Sequence, residues 1–169
     1  MKIIAVYGAS GSGKTTYIEK DIIKGCSLME TKAAGVDVSM HEPSGLLLYG
    51  KYNTSDRCKG CDKLSMSIID ALIASLYSTI EAQKFGTIVI DGDRVNNGKM
   101  FQFLLNYKEI TEIVFIDTPL EIIFKRLTNC NKQFVKTTFT KTQRMIAQCN
   151  AAGMTIKHIK AERPKFGNI

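Results

Sequence analysis

The sequence has few prolines and no long apolar segment. Its 169 residues include 3 prolines, and we find neither an internal repeat nor a low-complexity tract, so one continuous domain over residues 1–169 is the simplest organisation. No apolar run approaches the ~20 residues that a membrane-spanning helix needs. The amino terminus also lacks a signal-peptide pattern, because its short apolar stretch leads directly into a glycine-rich loop. We therefore expect a cytoplasmic protein that does not enter a membrane.

The cysteine content argues against a disulfide framework. There are 5 cysteines, an odd number that is spread along the chain. Cys58 and Cys61 form a C-x-x-C pair, but a structural zinc ion needs four ligands, and no second pair has suitable spacing. A small-residue loop is therefore the default interpretation, with a metal or redox role as the open alternative.

Acidic residues are outnumbered by basic ones. The sequence has 23 Lys and Arg residues against 16 Asp and Glu residues, which gives a formal net charge of +7. Such a charge favours polyanionic partners. A nucleic acid is one candidate, although the same basic residues would also suit the phosphates of a nucleotide.

The most informative feature is a glycine-rich motif directly behind an apolar stretch. The run Gly8–Thr15 (GASGSGKT) fits G-x-x-x-x-G-K-[ST] completely. Glycines allow positive φ angles, so that successive N–H groups can surround a phosphate at a helix amino terminus. Lys14 would neutralise phosphate oxygens, and the Thr15 hydroxyl suits a hydrated Mg²⁺. The predicted nucleotide-binding residues are Gly8, Ser10, Gly11, Ser12, Gly13, Lys14, Thr15 and Thr16.

Apolar periodicity predicts strands that alternate with helices. The strands are predicted at residues 2–7, 36–40, 46–49, 87–91, 112–117 and 154–159, and the helices at residues 14–24, 63–84, 98–107 and 138–152. A further helix is predicted after Thr118, because Thr118, Pro119 and Glu121 fit a capping box. This order predicts a three-layer α/β fold with a mostly parallel sheet.

A second nucleotide motif is predicted at the end of the strand over residues 87–91. The apolar run Ile88–Ile90 ends in Asp91, a carboxylate that would orient Mg²⁺. Asp93, two residues later, is a candidate base for the hydroxyl of an acceptor. The alternative is that Asp93 only caps a helix or pairs with Arg94.

Phosphoryl transfer also calls for a cation near the transferred group. Arg126, late in the predicted capped helix, is the first candidate, with Lys132 and Arg144 as weaker ones. The polar stretch that follows suits a lid over residues 127–137. The alternative for Arg126 is an exposed helix charge.

The polar segment over residues 50–62 is long for a connection inside one domain, and long loops are often functional. Its residues Tyr52, Asp56, Arg57 and Asp62 are candidates for contacting an acceptor by charge, hydrogen bonding and stacking. Asp62 is the second candidate for the catalytic base. The alternative is a set of solvated charges in which Asp62 caps the helix that begins near Lys63.

Three parts of this chain resemble the small P-loop kinases of nucleosides, nucleotides and nucleic-acid ends. They are Gly8–Thr15, residues 90–94 (IDGDR), and residues 115–119 (FIDTP) with the later run Lys125-Arg126-Leu127. The resemblance implies a P-loop kinase fold, ATP, Mg²⁺, and transfer of the γ-phosphoryl group to a hydroxyl or phosphate acceptor.

A narrower resemblance is carried by Gly50-Lys51-Tyr52 and by residues 58–65 (CKGCDKLS). This pattern is similar to that of small phage-encoded P-loop proteins, among them kinases that act on 5-hydroxymethyluracil in DNA. The resemblance implies phosphorylation of the hydroxymethyl group during thymine hypermodification, in the host cytoplasm. A base in a duplex would have to leave the stack to be reached.

Two alternatives remain open. A deoxynucleoside monophosphate kinase is one, although we cannot match its monophosphate clamp residue by residue. The other is a small regulatory P-loop NTPase, which the length disfavours, since motor ATPases carry an additional helical domain. A pure DNA-binding module would leave the phosphate loop without a role.

Overall fold

The computed structural model describes residues 1–54, 59–65, 67–127 and 131–160. These residues form one seven-stranded sheet with the strand order β2-β3-β4-β5-β1-β6-β7. The strands are β1 (Lys2–Tyr7), β2 (Met29–Ala33), β3 (Val36–His41), β4 (Leu46–Tyr49), β5 (Thr87–Asp91), β6 (Thr111–Asp117) and β7 (Thr155–Lys160). Among the described strands, β3 alone runs in the direction opposite to the other six, so the sheet is mostly parallel.

Helices connect most of these strands. They are α1 (Lys14–Tyr17), α2 (Ile69–Ala82), α3 (Gly98–Asn106), α4 (Leu120–Arg126) and α5 (Lys132–Ala151), with a π-helical segment over Ile18–Ile23 that directly continues α1. Short 3₁₀ turns occupy Glu42–Ser44, Cys61–Lys63 and Lys108–Ile110. The architecture is α/β and is compatible with three layers.

The sheet buries apolar side chains on both faces, because successive residues of a strand point in opposite directions. In β1, Ile3 and Ala5 belong to the larger core cluster, whereas Val6 belongs to the cluster on the other face. The larger cluster includes residues of α2, α3 and α5, and the smaller one includes Ile18 and Ile23 of the π-helical segment. Burial on both faces explains why the central strands are nearly continuous apolar runs.

All six predicted strands are confirmed to within one residue at each end, and the predicted helices are confirmed with changed bounds. β2 was not predicted, because its sequence Met29–Ala33 (METKA) is polar and lies at the exposed edge of the sheet. The predicted start of the second helix near Lys63 is wrong, since α2 begins at Ile69.

The last helix is longer than predicted. α5 begins at Lys132 rather than near Thr138, and the Asn131 side chain caps it by accepting a 3.0 Å hydrogen bond from the Phe134 N–H. Most of the segment predicted as a lid is therefore helix, while residues 128–130 lie outside the described residues. The lid stays a prediction.

Of the helices in the described ranges, none combines the length and the apolar character that crossing a membrane requires.

Candidate phosphate-binding site

The glycine-rich loop joins the buried end of β1 to the start of α1. Gly11 and Gly13 have φ angles of 78° and 108°, a region that side chains other than glycine rarely adopt. The Lys14 ammonium donates hydrogen bonds to the Gly8 carbonyl at 2.9 Å and to the Ala9 carbonyl at 3.2 Å. The loop thus places the Lys14 cation over its own backbone carbonyls.

Two side chains hold the loop from outside, one from the residue that follows β6 and one from α4. The Thr118 hydroxyl donates a 2.8 Å hydrogen bond to the Ser12 carbonyl, and Arg126 Nη1 donates a 3.2 Å bond to the same oxygen. The predicted capping box at Thr118 is wrong, because α4 has no side-chain cap and its N-cap residue is Pro119. Thr118 supports the phosphate loop instead of the helix.

The loop opens into a cavity of about 690 Å³. Every predicted nucleotide-binding residue except Gly8 lines it, since the lining includes Ser10–Thr16. Of the predicted catalytic residues, Lys14, Arg126 and Asp62 line this cavity and Asp93 does not. The sequence interpretation missed three other lysines of the lining, which are Lys20, Lys59 and Lys160.

Asp91 lies at the end of β5, in register with Val6 of β1 and therefore beside the loop. Its side chain is buried, and Oδ1 accepts a 2.5 Å hydrogen bond from the Tyr52 hydroxyl and a 3.3 Å bond from the Cys61 N–H. Burial raises the pKa of Asp91 to about 6, while the Tyr52 hydrogen bond and the Lys14 charge oppose that increase. The predicted magnesium ligand is thus a buried, hydrogen-bonded carboxylate close to Lys14.

Tyr52 does not have the role that we predicted from its place in the polar segment. Its ring is only 4% exposed, and its hydroxyl is bound to Asp91, so stacking on an acceptor is ruled out. Burial and the neighbouring Asp91 raise the pKa of Tyr52 well above its usual value. Tyr52 is therefore a protonated donor that orients the Asp91 carboxylate.

Cys61 is buried next to the same carboxylate. Its thiol donates a hydrogen bond to the Tyr49 carbonyl at 3.3 Å, and burial raises the pKa of that thiol well above its usual value. Cys58, the other member of the predicted pair, lies outside the described residues, as do Asp56 and Arg57.

The two candidate bases are joined by a hydrogen bond. Asp62 Oδ1 accepts a 2.9 Å bond from the Asp93 N–H, and the Asp93 carboxylate forms a 3.1 Å ion pair with Lys141 of α5. The predicted Asp93–Arg94 pair is not the contact that forms, because Arg94 Nε donates instead to the Asp62 carbonyl. Asp62 does not cap α2, because it lies in a 3₁₀ turn well before that helix.

The three candidate cations lie in different places. Arg126 faces the cavity of about 690 Å³ at the glycine-rich loop, which is called the phosphate cavity below. Lys132 lies over the Phe124 ring, with its ammonium 5.9 Å from the ring centroid, and Arg144 lines a different cleft. Arg126 is therefore the candidate that the fold brings to the loop.

The loop also contains a polar atom that a ligand would satisfy. Ser12 is 1% exposed, and its hydroxyl oxygen has no hydrogen-bond partner among the described residues. Buried polar atoms are rarely left unpaired. Together with the Lys14 ammonium and the cation of Arg126, this hydroxyl makes a donor set that fits the phosphates of a nucleotide.

Gly60 provides a test of how the polar segment supports Asp91. Its backbone has φ 70° and ψ −148°, which is close to a region used essentially by glycine alone. A Cβ atom at this position would overlap Asp91 Oδ1 and would lie 2.7 Å from the Tyr52 hydroxyl. We expect Gly60→Ala to lower the free energy of unfolding by about 3 kcal/mol, from overpacking and backbone strain. Urea denaturation measures this change.

The matched control is Gly98→Ala. Gly98 is the first residue of α3, and a Cβ atom there meets no heavy atom within 4 Å. This variant should be as stable as the parent chain or slightly more stable, since alanine is the better helix former. Equal stability of the two variants would contradict the packing of Gly60 against Asp91.

No protein-family model matches this sequence, and no curated protein matches it. The site is therefore interpreted from its own geometry.

Proposed function

We propose that this chain is an ATP- and Mg²⁺-dependent phosphotransferase with a P-loop kinase fold. One observation supports the proposal above the others: the Lys14 loop, Arg126 and Asp62 line a single cavity, and the buried Asp91 lies beside it. Phosphoryl transfer depends mainly on positioning and on the stabilisation of charge. The residues around this cavity would supply both.

Each side chain has a distinct proposed role. Lys14 and the loop N–H groups hold the phosphates, and Arg126 offsets charge that develops during transfer. Thr15 and Asp91 would hold Mg²⁺, which would neutralise phosphate charge. The acceptor oxygen forms a bond to the γ-phosphorus atom as the bond to the β–γ bridging oxygen breaks. The hydroxyl proton goes to a carboxylate, and ADP leaves.

The acceptor that we propose is a hydroxyl group in DNA, with the hydroxymethyl group of 5-hydroxymethyluracil as the specific case that the resemblance implies. The positive net charge supports a nucleic-acid substrate. A deoxynucleoside monophosphate kinase and a regulatory NTPase remain the alternatives.

The test is transfer of labelled γ-phosphate from ATP in the presence of Mg²⁺. The acceptors are duplex DNA with and without 5-hydroxymethyluracil, 5′-hydroxyl DNA ends, and free deoxynucleoside monophosphates. Label on the hydroxymethylated duplex alone supports the proposal. Label on free nucleotides alone would make the chain a nucleotide kinase, and free phosphate without a labelled acceptor would make it an NTPase.

Asp93 is our preferred base, because it lies between Asp62, which lines the phosphate cavity, and Lys141, which lines a second cleft. We expect Asp93→Asn to lower kcat by about a hundredfold with little change in the KM for ATP, since an amide cannot accept the proton. Steady-state kinetics with saturating acceptor measures this loss.

Asp62→Asn distinguishes between the two candidate bases, Asp62 and Asp93, and Asp70→Asn is the control. Asp62 positions the Asp93 backbone, so we expect a smaller loss of kcat for Asp62→Asn. Asp70 is paired with Lys99 on the exposed surface and should have no effect. A larger loss for Asp62→Asn than for Asp93→Asn would assign the base to Asp62.

A further inference from the structure

A second cleft, of about 640 Å³, lies between the start of α3 and the exposed face of α5. Asn96, Asn97 and Gly98 line one side of it. The α5 side contributes Gln133, Lys136, Thr137, Thr140, Lys141, Arg144, Met145 and Gln148. The lining therefore contains three cations, several amide and hydroxyl groups, and no carboxylate among its described residues.

The polar residues of the α5 side form a stripe along the helix. The residues of this stripe recur at intervals of three or four positions, which places them on one face of α5. They are Gln133, Lys136 or Thr137, Thr140 or Lys141, Arg144 and Gln148. The 20 residues of α5 include four basic residues and no acidic residue. A helix face with this composition presents hydrogen-bond donors and positive charge to an anion.

Two of the three cations in the cleft are available for a ligand. Neither Lys136 nor Arg144 forms an ion pair with any residue in the described ranges. Asn96 is 3% exposed and donates to the Thr142 hydroxyl at 3.3 Å, while its Oδ1 has no partner among the described residues. A phosphodiester has no hydrogen-bond donor, so the Asn96 Oδ1 acceptor would not bind it, and the contacts to phosphate would come from the two unpaired cations.

The spacing of the cations favours a polymer over a single phosphate. Lys136 and Arg144 are separated by about 12 Å along the helix axis. A DNA strand carries one negative charge per ~3.4 Å of helix axis, so its row of phosphates matches a row of cations along a helix. Several successive phosphates are therefore within reach of this stripe.

A hydrogen bond and an ion pair, which pass through the two candidate bases, link a lining residue of the second cleft to a lining residue of the phosphate cavity. Asp62 lines the phosphate cavity and accepts from the Asp93 N–H, and Asp93 is paired with Lys141, which lines the second cleft. A polymer that lies along α5 would contact Lys141, whose ion-pair partner is Asp93.

We infer that the α3–α5 cleft binds the phosphodiester backbone of a nucleic acid, with Lys136 and Arg144 contacting phosphates. This inference rests on the proposed function, because it gives the acceptor polymer a path beside the phosphate cavity. Phosphate contacts of this kind fix the register of the strand and carry no sequence information.

The experiment measures the binding of fluorescein-labelled duplex DNA by anisotropy, without ATP or Mg²⁺, at several salt concentrations. For the double variant Lys136→Gln with Arg144→Gln, the dissociation constant should rise by about tenfold. The slope of log affinity against log salt should fall by about 2, because each phosphate contact contributes roughly 0.9. Circular dichroism and the thermal midpoint verify that the variant is folded.

The matched control is Lys84→Gln with Lys108→Gln, which removes the same charge. Lys84 lies just before β5 and Lys108 just before β6, at the amino-terminal ends of strands that run parallel to β1, whereas the phosphate loop follows the carboxyl-terminal end of β1. Parent-like binding by this control supports the inference. Parent-like binding by the cleft variant, or an equal loss in both variants, overturns it.

A free deoxynucleoside monophosphate in the same titration separates the polymer from a single nucleotide. If the cleft variant loses affinity for the monophosphate but not for DNA, the inference is overturned. Because binding is measured without ATP, its outcome is independent of whether the chain transfers phosphate. An inactive chain with a DNA-binding cleft, and an active chain without one, are distinguishable results.

Discussion

Replacing Lys14 with alanine is expected to lower the rate of phosphoryl transfer by at least about 10³-fold while the chain stays folded. The Lys14 ammonium lies on the carbonyls of Gly8 and Ala9 at the mouth of the loop. Among the described residues that line the cavity, Arg126 is the other cation that contacts the loop backbone. It does so by donating to the Ser12 carbonyl. Loss of Lys14 leaves the phosphate charge without its main partner.

The measurement is kcat/KM for ATP with the acceptor that the transfer panel identifies, together with the affinity for ATP·Mg²⁺. Lys108→Ala is the control, because it removes a lysine at the amino-terminal end of β6, away from the loop at the carboxyl-terminal end of the parallel strand β1. Lys14→Arg separates charge from shape, since a guanidinium is longer and planar. Near-normal transfer by folded Lys14→Ala would refute the assignment of the phosphate loop.

The parts of the fold that depend on local pattern could be predicted. Apolar runs such as Ile88–Ile90 indicate strands that are buried on both faces, and the structure places them at the centre of the sheet. The loop residues Gly8–Thr15 follow from the motif alone, because their conformation is set by glycine at particular positions. β2 could not be predicted, since its side chains are largely exposed and its pairing with β3 is set by the sheet.

The contacts that complete the site are long-range and could not be predicted. The Tyr52 hydroxyl meets Asp91 across 39 positions of sequence, and Thr118 meets the Ser12 carbonyl across 106. Local spacing suggested other roles for both residues, an acceptor contact for Tyr52 and a helix cap for Thr118. Tertiary packing decides between such roles, because one side chain can satisfy only the partner that the fold brings to it.

The sequence contains a local signal for the start of α5, but the polar composition of the same segment favours a different interpretation. Asn131 is a good N-cap residue, and its side chain does cap the helix. The polar composition of residues 127–137 favoured a lid instead. A polar segment and the exposed first turns of a helix have similar composition, so composition alone does not separate them.

The second large effect is expected for Arg126→Ala. Arg126 Nη1 donates to the Ser12 carbonyl at 3.2 Å and faces the phosphate cavity. An arginine that stabilises charge in the transition state contributes about 10³-fold to transfer. We therefore expect kcat to fall by about 10³-fold, with a much smaller change in the affinity for ATP·Mg²⁺, because the benefit arises mainly during transfer.

A purely structural role for Arg126 gives a different result. If the guanidinium only held the Ser12 carbonyl, Arg126→Ala would weaken ATP binding and lower the thermal midpoint together, and kcat at saturating ATP would be largely preserved. Lys125→Ala is the control, since Lys125 is the exposed neighbour on α4 and does not line the cavity. Arg126→Lys adds a second criterion: an ammonium restores charge but not the planar donor pair, so partial recovery of kcat indicates that charge is what Arg126 supplies.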